Sequence, residues 1–281
     1  MSLLGKQIRM RRLIQEESNS SVIFAFDHGM TSPTFLGGLM NPREQIRRGI
    51  AGGANVLMLG RGIARQVAGE FRRDTSLALM LTASAAGTPS GNVITPIGSV
   101  EEALALGADA VVVYVALATE HERDMIHYLS QVGEACERLG MPLIAEAEYP
   151  NAYQGLSALA QSYGPEYLVR NARLCAEMGA DIVKTNWTGD EESYRYLVQA
   201  TTVPVVVAGG TLVSDHELLQ RMEAARRAGA IGCSVGRNIF EHKDPEGITR
   251  AISMIWREKR SAAEAEAWLL ERLNRAKAKG E

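Results

Sequence analysis

With 46% hydrophobic and 22% charged residues, this 281-residue chain has a globular composition and can bury roughly 75% of the surface exposed when unfolded. Its 30 basic and 33 acidic side chains leave a net charge of −3, which gives no electrostatic reason to expect nucleic acid as a partner. No apolar run reaches the length of roughly 18 residues that a membrane span needs, and no long apolar stretch follows the basic N-terminus, so neither a transmembrane helix nor a secretory signal is expected.

In chain order, residues 6–17 predict a short basic helix that plugs one end of the fold. Short apolar runs then recur at 22–26, 55–60, 77–82, 110–117, 142–149, 181–187, 204–210 and 231–238. Their β-branched, nearly continuous apolarity is the pattern of strands buried on both faces of a parallel sheet. Helical stretches lie between them, among them 42–52, 121–139, 165–178, 191–200 and 214–228. Eight strand–helix units predict an α/β fold of the closed (β/α)8 type, a TIM barrel.

A finer repeat supports this count. Gly53, Gly107, Gly179 and Gly229, each followed by alanine, precede the second, fourth, sixth and eighth runs, where a glycine can end a helix in a left-handed conformation. Pro142 and Pro204 open the fifth and seventh runs, as is acceptable at a strand's first residue. A doubly wound open sheet is the competing fold, but FDHGMTSP at 26–33 is not a dinucleotide-binding turn. The reading is one domain over 1–281, with the barrel at about 20–258 and a helical extension at 259–281. In the extension, Ser261 and Glu264 have capping-box spacing. The loop 83–99, rich in small residues, could act as a lid. Cys136, Cys175 and Cys233 form no CxxC and fit reduced core thiols in the cytoplasm.

In such a barrel the chemistry sits where strands end. Asp27 and His28 follow the first strand, Arg61 the second, and Tyr149 closes the fifth after Glu146 and Glu148. Lys184 lies inside the sixth, in IVKTN. Lysine is almost never fully buried unless paired, and desolvation lowers its pKa toward the free amine that attacks a carbonyl. Bringing it from about 10.4 to near 7 takes roughly 4–5 kcal/mol of environmental bias. The competing reading is an ion-paired or snorkelling lysine, with Asp27 as partner.

Gly209-Gly210 and Gly236-Arg237 close the last two strands, where backbone N–H groups and a forked guanidinium suit a phosphate. Ordinary turn glycines beside a surface arginine are the alternative. Asp27 and Tyr149 are candidates for proton transfer or hydroxyl binding, or else a turn carboxylate and a rim aromatic. His28 and Arg61 are possible substrate contacts, with His28 more a scaffold residue than a metal ligand. The five histidines show no HxH or HExxH spacing, so neither a metal nor another cofactor is expected.

Taken together, FDHG at 26–29, EYP at 148–150, GADIVKTNWTG at 179–189, VVVAGG at 205–210 and VGRNIF at 235–240 resemble the archaeal-type class I fructose-bisphosphate aldolase family. That family includes 2-amino-3,7-dideoxy-hept-6-ulosonate synthase and the autoinducer-2 phosphate thiolase. The resemblance runs from about residue 5 to 258. It implies that Lys184 is the Schiff-base lysine, Tyr149 the acid/base tyrosine and Asp27 the active-site aspartate. It also implies a phosphate site at Gly209, Gly210, Gly236 and Arg237, a phosphorylated small-molecule substrate, and a homo-oligomer, often a decamer of two pentameric rings.

Two places depart from the fructose-bisphosphate enzymes. Ala147 stands where they carry a tryptophan, and MTSPTFLGGLMNP at 30–42 replaces their glycine-proline stretch with its second histidine. Both touch the pocket wall. The tyrosine is missing from the thiolase branch, so Tyr149 argues for aldol chemistry. The expectation is a Schiff-base aldolase on a phosphorylated ketose. The alternatives are a synthase-like transaldolase or thiolase, a non-covalent phosphosugar isomerase or synthase barrel, and a non-enzymatic barrel.

Overall fold

The computed structural model describes residues 4–84, 94–117, 121–150 and 156–279. Eight parallel strands close into a barrel: β1 (Ser21–Ala25), β2 (Val56–Leu59), β3 (Ser76–Met80), β6 (Ala110–Val115), β7 (Leu143–Ala147), β8 (Ile182–Thr185), β9 (Val205–Ala208) and β10 (Gly232–Val235). Each lies within or across one of the eight apolar runs. Two further short strands, β4 (Thr82–Ser84) and β5 (Ile94–Pro96), pair antiparallel beyond the end of β3. The segment 83–99, expected to be a loop that acts as a lid, takes in part of β4 and all of β5, and its residues 85–93 lie outside the described residues.

The outer ring holds α2 (Pro42–Gly52), α3 (Arg61–Gln66), α4 (Val100–Ala105), α5 (Glu122–Leu139), α6 (Leu156–Glu177), α7 (Glu191–Thr201), α8 (Asp215–Arg227), α9 (Arg237–Phe240) and α10 (Pro245–Arg257). Gly53, Gly107, Gly179 and Gly229 all have positive φ, at 108°, 76°, 97° and 103°. A side chain there would be strained, which is why glycine recurs at these helix ends. The sixth helix starts earlier than expected: it runs from Leu156 and is kinked where Gly164 takes φ 68°, just before Pro165.

Strand alternation divides the core in two. Ile23, Val56, Val112, Ile144, Ile182 and Val206 face the barrel interior. Val22, Leu57, Val111, Leu143, Val183 and Val205 face the helices. The helix α1 (Leu4–Leu13) closes the bottom, with Leu13 buried among the interior side chains and Met10 packed against them. Its basic residues meet acids at strand starts: Arg12 pairs with Asp109 at 3.0 Å and Lys6 with Asp181 at 3.2 Å. Asn55 Nδ2 donates to Leu13 O at 3.0 Å and fixes the plug to the start of β2. The bottom is therefore filled, and only the C-terminal ends of the strands are left to take a substrate.

The C-terminal helix α11 (Ala262–Lys279) packs on α8 and α10. Its capping box is complete: Glu264 N donates to Ser261 Oγ at 3.2 Å, and Ser261 N donates back to Glu264 Oε2 at 2.9 Å.

Candidate active site

Lys184 stands at an inward position of β8, two residues above Ile182. Glu146 is its register partner on β7 and ion-pairs with the ammonium. Glu148, two residues further along, places Oε1 3.2 Å from Nζ. Asp27, beyond β1, is also buried and close enough to act on the lysine's charge. One ammonium thus faces three carboxylates.

This arrangement corrects one expectation. Burial does pull Lys184 toward the neutral amine, but the charges of Glu146, Glu148 and Asp27 outweigh it and raise the pKa instead. The perturbed acid is Glu146, only 2% exposed, whose pKa is pushed up to about 7, chiefly by desolvation. Asp27 moves the other way: burial opposes its ionisation, but His28 and Lys184 hold it below the usual carboxylate range. Asp27 Oδ1 lies 3.5 Å from His28 Nδ1 and finds no hydrogen-bond partner among the described residues.

Tyr149 does not join this cluster. Two residues beyond β7 it packs outward among the helix-facing side chains, is 1% exposed, and stacks on Tyr167 of α6 with ring centroids 5.6 Å apart. Its hydroxyl donates to Gly164 O at 3.1 Å. The tyrosine on the inward side is Tyr114, the register partner of Glu146 on β6, whose hydroxyl donates to Tyr149 O at 3.0 Å. Asn186, two residues beyond Lys184, accepts from Tyr149 N at 2.9 Å.

The last two strands end in a tight backbone cradle. A Cβ on Gly236 would lie 2.3 Å from His28 Cε1 and 2.6 Å from Ala25 O, so only glycine lets this turn settle against the first strand. Arg237 follows as the first residue of α9. Asn238 binds the two loops together: Nδ2 donates to Gly209 O at 3.3 Å and Thr211 O at 3.0 Å, and Oδ1 accepts from Val213 N at 3.0 Å. Gly210 completes the turn with φ 71°. His28 is held under Gly236, edge-on to Phe240 at 5.1 Å. Arg61 is engaged elsewhere, pairing with Glu102 at 2.9 Å.

The comparisons bear on this geometry. The model of the DeoC/LacD family of aldolases matches residues 21–242, from the first barrel strand to just beyond α9. The chain belongs to that family. Among its relatives is the 2-amino-3,7-dideoxy-D-threo-hept-6-ulosonate synthase of Halobacterium salinarum, 33% identical over 91% of this chain and 92% of that one. Another is the 2-amino-4,5-dihydroxy-6-oxo-7-(phosphonooxy)heptanoate synthase of Streptomyces griseus, 32% identical over 89% of each chain. A solved archaeal fructose 1,6-bisphosphate aldolase superposes with a TM-score of 0.78 at 26% identity, over 90% of this chain and 99% of that one. The protein is thus an enzyme of the aldolase type on a TIM barrel.

Asp27, His28 and Lys184 come together in this aldolase, and the glycines with Arg237 line the adjoining loops. Glu146 and Glu148, which the sequence marks only as acids ahead of Tyr149, are the residues that pair with Lys184. The available signal was their charge: two acids two residues apart on a barrel strand are expected on one face, and buried carboxylates need a partner.

Proposed function

We propose that this aldolase makes or breaks a carbon–carbon bond in a phosphorylated ketose through a Schiff base on Lys184. The observation that carries this reading is the placement of the lysine, an amine buried at the open end of the barrel interior and ringed by carboxylates.

A protonated lysine cannot attack a carbonyl, so the proton has to leave first. Glu146 touches the ammonium, so it is placed to take that proton as the substrate displaces the ion pair and to return it to the departing hydroxyl of the carbinolamine. Loss of water leaves an iminium ion, which draws electrons from the neighbouring carbon–carbon bond. The free acceptor Oδ1 of Asp27 orients substrate hydroxyls. The phosphate docks on Gly209, Gly210, Gly236 and Arg237, where backbone amides and the guanidinium supply donors. His28 supports this cradle from below.

The names of two relatives carry phosphate groups, the phosphonooxy heptanoate synthase and the bisphosphate aldolase, and this supports a phosphorylated substrate here. The same reading carries a homo-oligomer and a cytoplasmic location. The resemblance to the archaeal aldolases supports the first, and the three buried, free cysteines fit the second.

Borohydride reduction in the presence of dihydroxyacetone phosphate tests the reading. The expected result is a trapped adduct that forms far less readily with dihydroxyacetone. Equal trapping of the two ketones removes the phosphate site, and no adduct with any of a panel of phosphorylated ketones and ketoses removes the Schiff base.

A further inference from the structure

We propose that Glu148, and not Tyr149, carries the proton at the reacting carbon of this aldolase. The inference rests on the Schiff-base reading and deepens it.

Three observations lead there. The first is position along β7. Glu146 is the last inward residue of β7 and Glu148 lies just beyond the strand's end at Ala147, and both carboxylates reach the Lys184 ammonium. Beneath Glu146 and Lys184 the interior is filled by Ile144, Ile182, Val206 and Leu13. A substrate can approach the amine only from the mouth, which is the Glu148 side. Glu146 thus serves the amine, while Glu148 faces what is bonded to it.

The second is reach. The carbon that gains or loses a proton is two bonds from Nζ once the iminium has formed. A general base must come within about 2.6–3.2 Å of its proton donor, and Glu148 Oε1 already lies 3.2 Å from Nζ. The Tyr149 hydroxyl is instead donated to Gly164 O on α6.

The third is rigidity. The Glu148 amide donates to Val115 O at 3.3 Å and to Glu146 O at 3.1 Å. Its carbonyl accepts from Asn171 Nδ2 at 3.3 Å and from Tyr167 at 3.4 Å. The carboxylate therefore stands on a backbone fixed to β6 and α6, as a positioned proton carrier requires.

In cleavage, the Glu148 carboxylate takes the proton of the hydroxyl two carbons from the iminium carbon. The carbon–carbon bond breaks, its electron pair forms the enamine, and an aldehyde leaves. The Glu148 carboxylic acid then returns one proton to the enamine carbon, restoring the iminium for hydrolysis. With a ketone alone, the same group removes and returns a proton at the carbon beside the iminium, so that carbon exchanges hydrogen with solvent.

Exchange separates the roles without knowledge of the second substrate. The full-length enzyme is incubated with dihydroxyacetone phosphate in deuterium oxide. Deuterium entering the hydroxymethyl carbon is followed by NMR, and a parallel sample is reduced with borohydride and weighed. The wild type should give both adduct and exchange. Glu148→Gln should give the adduct with exchange lowered by roughly 10²–10⁴-fold. Tyr149→Phe should keep both.

Exchange by Glu148→Gln within a few-fold of wild type overturns the proposal, as does Tyr149→Phe that traps adduct but does not exchange. A folded Glu148→Gln without adduct also overturns it, by moving Glu148 to an earlier step. If Glu148→Gln melts below the assay temperature, Glu148→Asp decides: exchange at least tenfold lower with adduct retained supports the assignment, and unchanged exchange defeats it. A wild type that traps no ketone fails at the Schiff base itself, which is a different result from any of these.

Discussion

Replacing Lys184 with methionine should destabilise the protein at neutral pH, although it removes a buried charge. The side chain keeps its length and apolar stem, but Glu146, Glu148 and Asp27 lose the one ammonium among them. Removing one partner of a buried ion pair costs about 3–5 kcal/mol, because the other charge stays buried and uncompensated. The cost depends on pH in a definite direction. The Glu146 pKa is already pushed up to about 7 with Lys184 lowering it, so without the lysine it rises further. An acid whose pKa is raised on folding costs nothing below its unfolded value, here 4.5, and the penalty grows with pH from there until it levels off at the folded value. Wild-type Glu146 carries the same penalty up to about pH 7, so the extra deficit of Lys184→Met from this acid opens above that value and is larger at pH 8 than at pH 5. At about 2–4 °C per kcal/mol, the fall in Tm at pH 8 is on the order of 10 °C. Thermal melts at both pH values check this, with Lys184→Met/Glu146→Gln expected to recover much of the loss. A Lys184→Met protein that melts with wild type at pH 8, or shows one deficit at both pH values, refutes the electrostatic account of the site.

Arg237→Ala should raise KM for a phosphorylated ketose by roughly 10–150-fold, the equivalent of about 1.5–3 kcal/mol, with little change for an unphosphorylated analogue; steady-state kinetics on the pair checks it. Asn238→Ala should raise KM for the same substrate and lower Tm, since Gly209 O, Thr211 O and Val213 N all lose their partner. Gly236→Ala should cost both stability and activity, because the new methyl meets His28 and Ala25 O; a soluble variant with normal Tm counts against the cradle. Ser261→Ala should cost about 1 kcal/mol through loss of the α11 cap, seen as a lower Tm at unchanged turnover.

The barrel was legible because its signal is repeated. Eight apolar runs, four Gly-Ala helix ends and the Ser261–Glu264 spacing each found their place in the structure. The site was legible only in part, and the reason is physical. Strands of a parallel barrel bury both faces, so hydrophobicity does not tell which residues face the interior. In β7, Ala145 and Ala147 face out and Ile144 and Glu146 face in, yet all are equally buried. Only the charges break this symmetry, and counting in twos from Glu146 turns Tyr149 outward. The Lys184 pKa departs from the sequence expectation for a related reason: desolvation is local to a strand position, whereas the carboxylates that overcome it come from the end of β7 and the end of β1. The α11 cap was visible in four residues, but its docking against α8, through Ala262 N and Glu223 at 2.8 Å, is a long-range contact that local spacing cannot encode.

The central claim is a covalent bond to one amine. The most direct measurement is peptide mapping by mass spectrometry after borohydride reduction of the wild-type enzyme with dihydroxyacetone phosphate. The account predicts a single modified peptide carrying the reduced adduct on Lys184, lost in Lys184→Met. Turnover of a phosphorylated ketose with no trapped adduct, or an adduct on any other lysine, contradicts it.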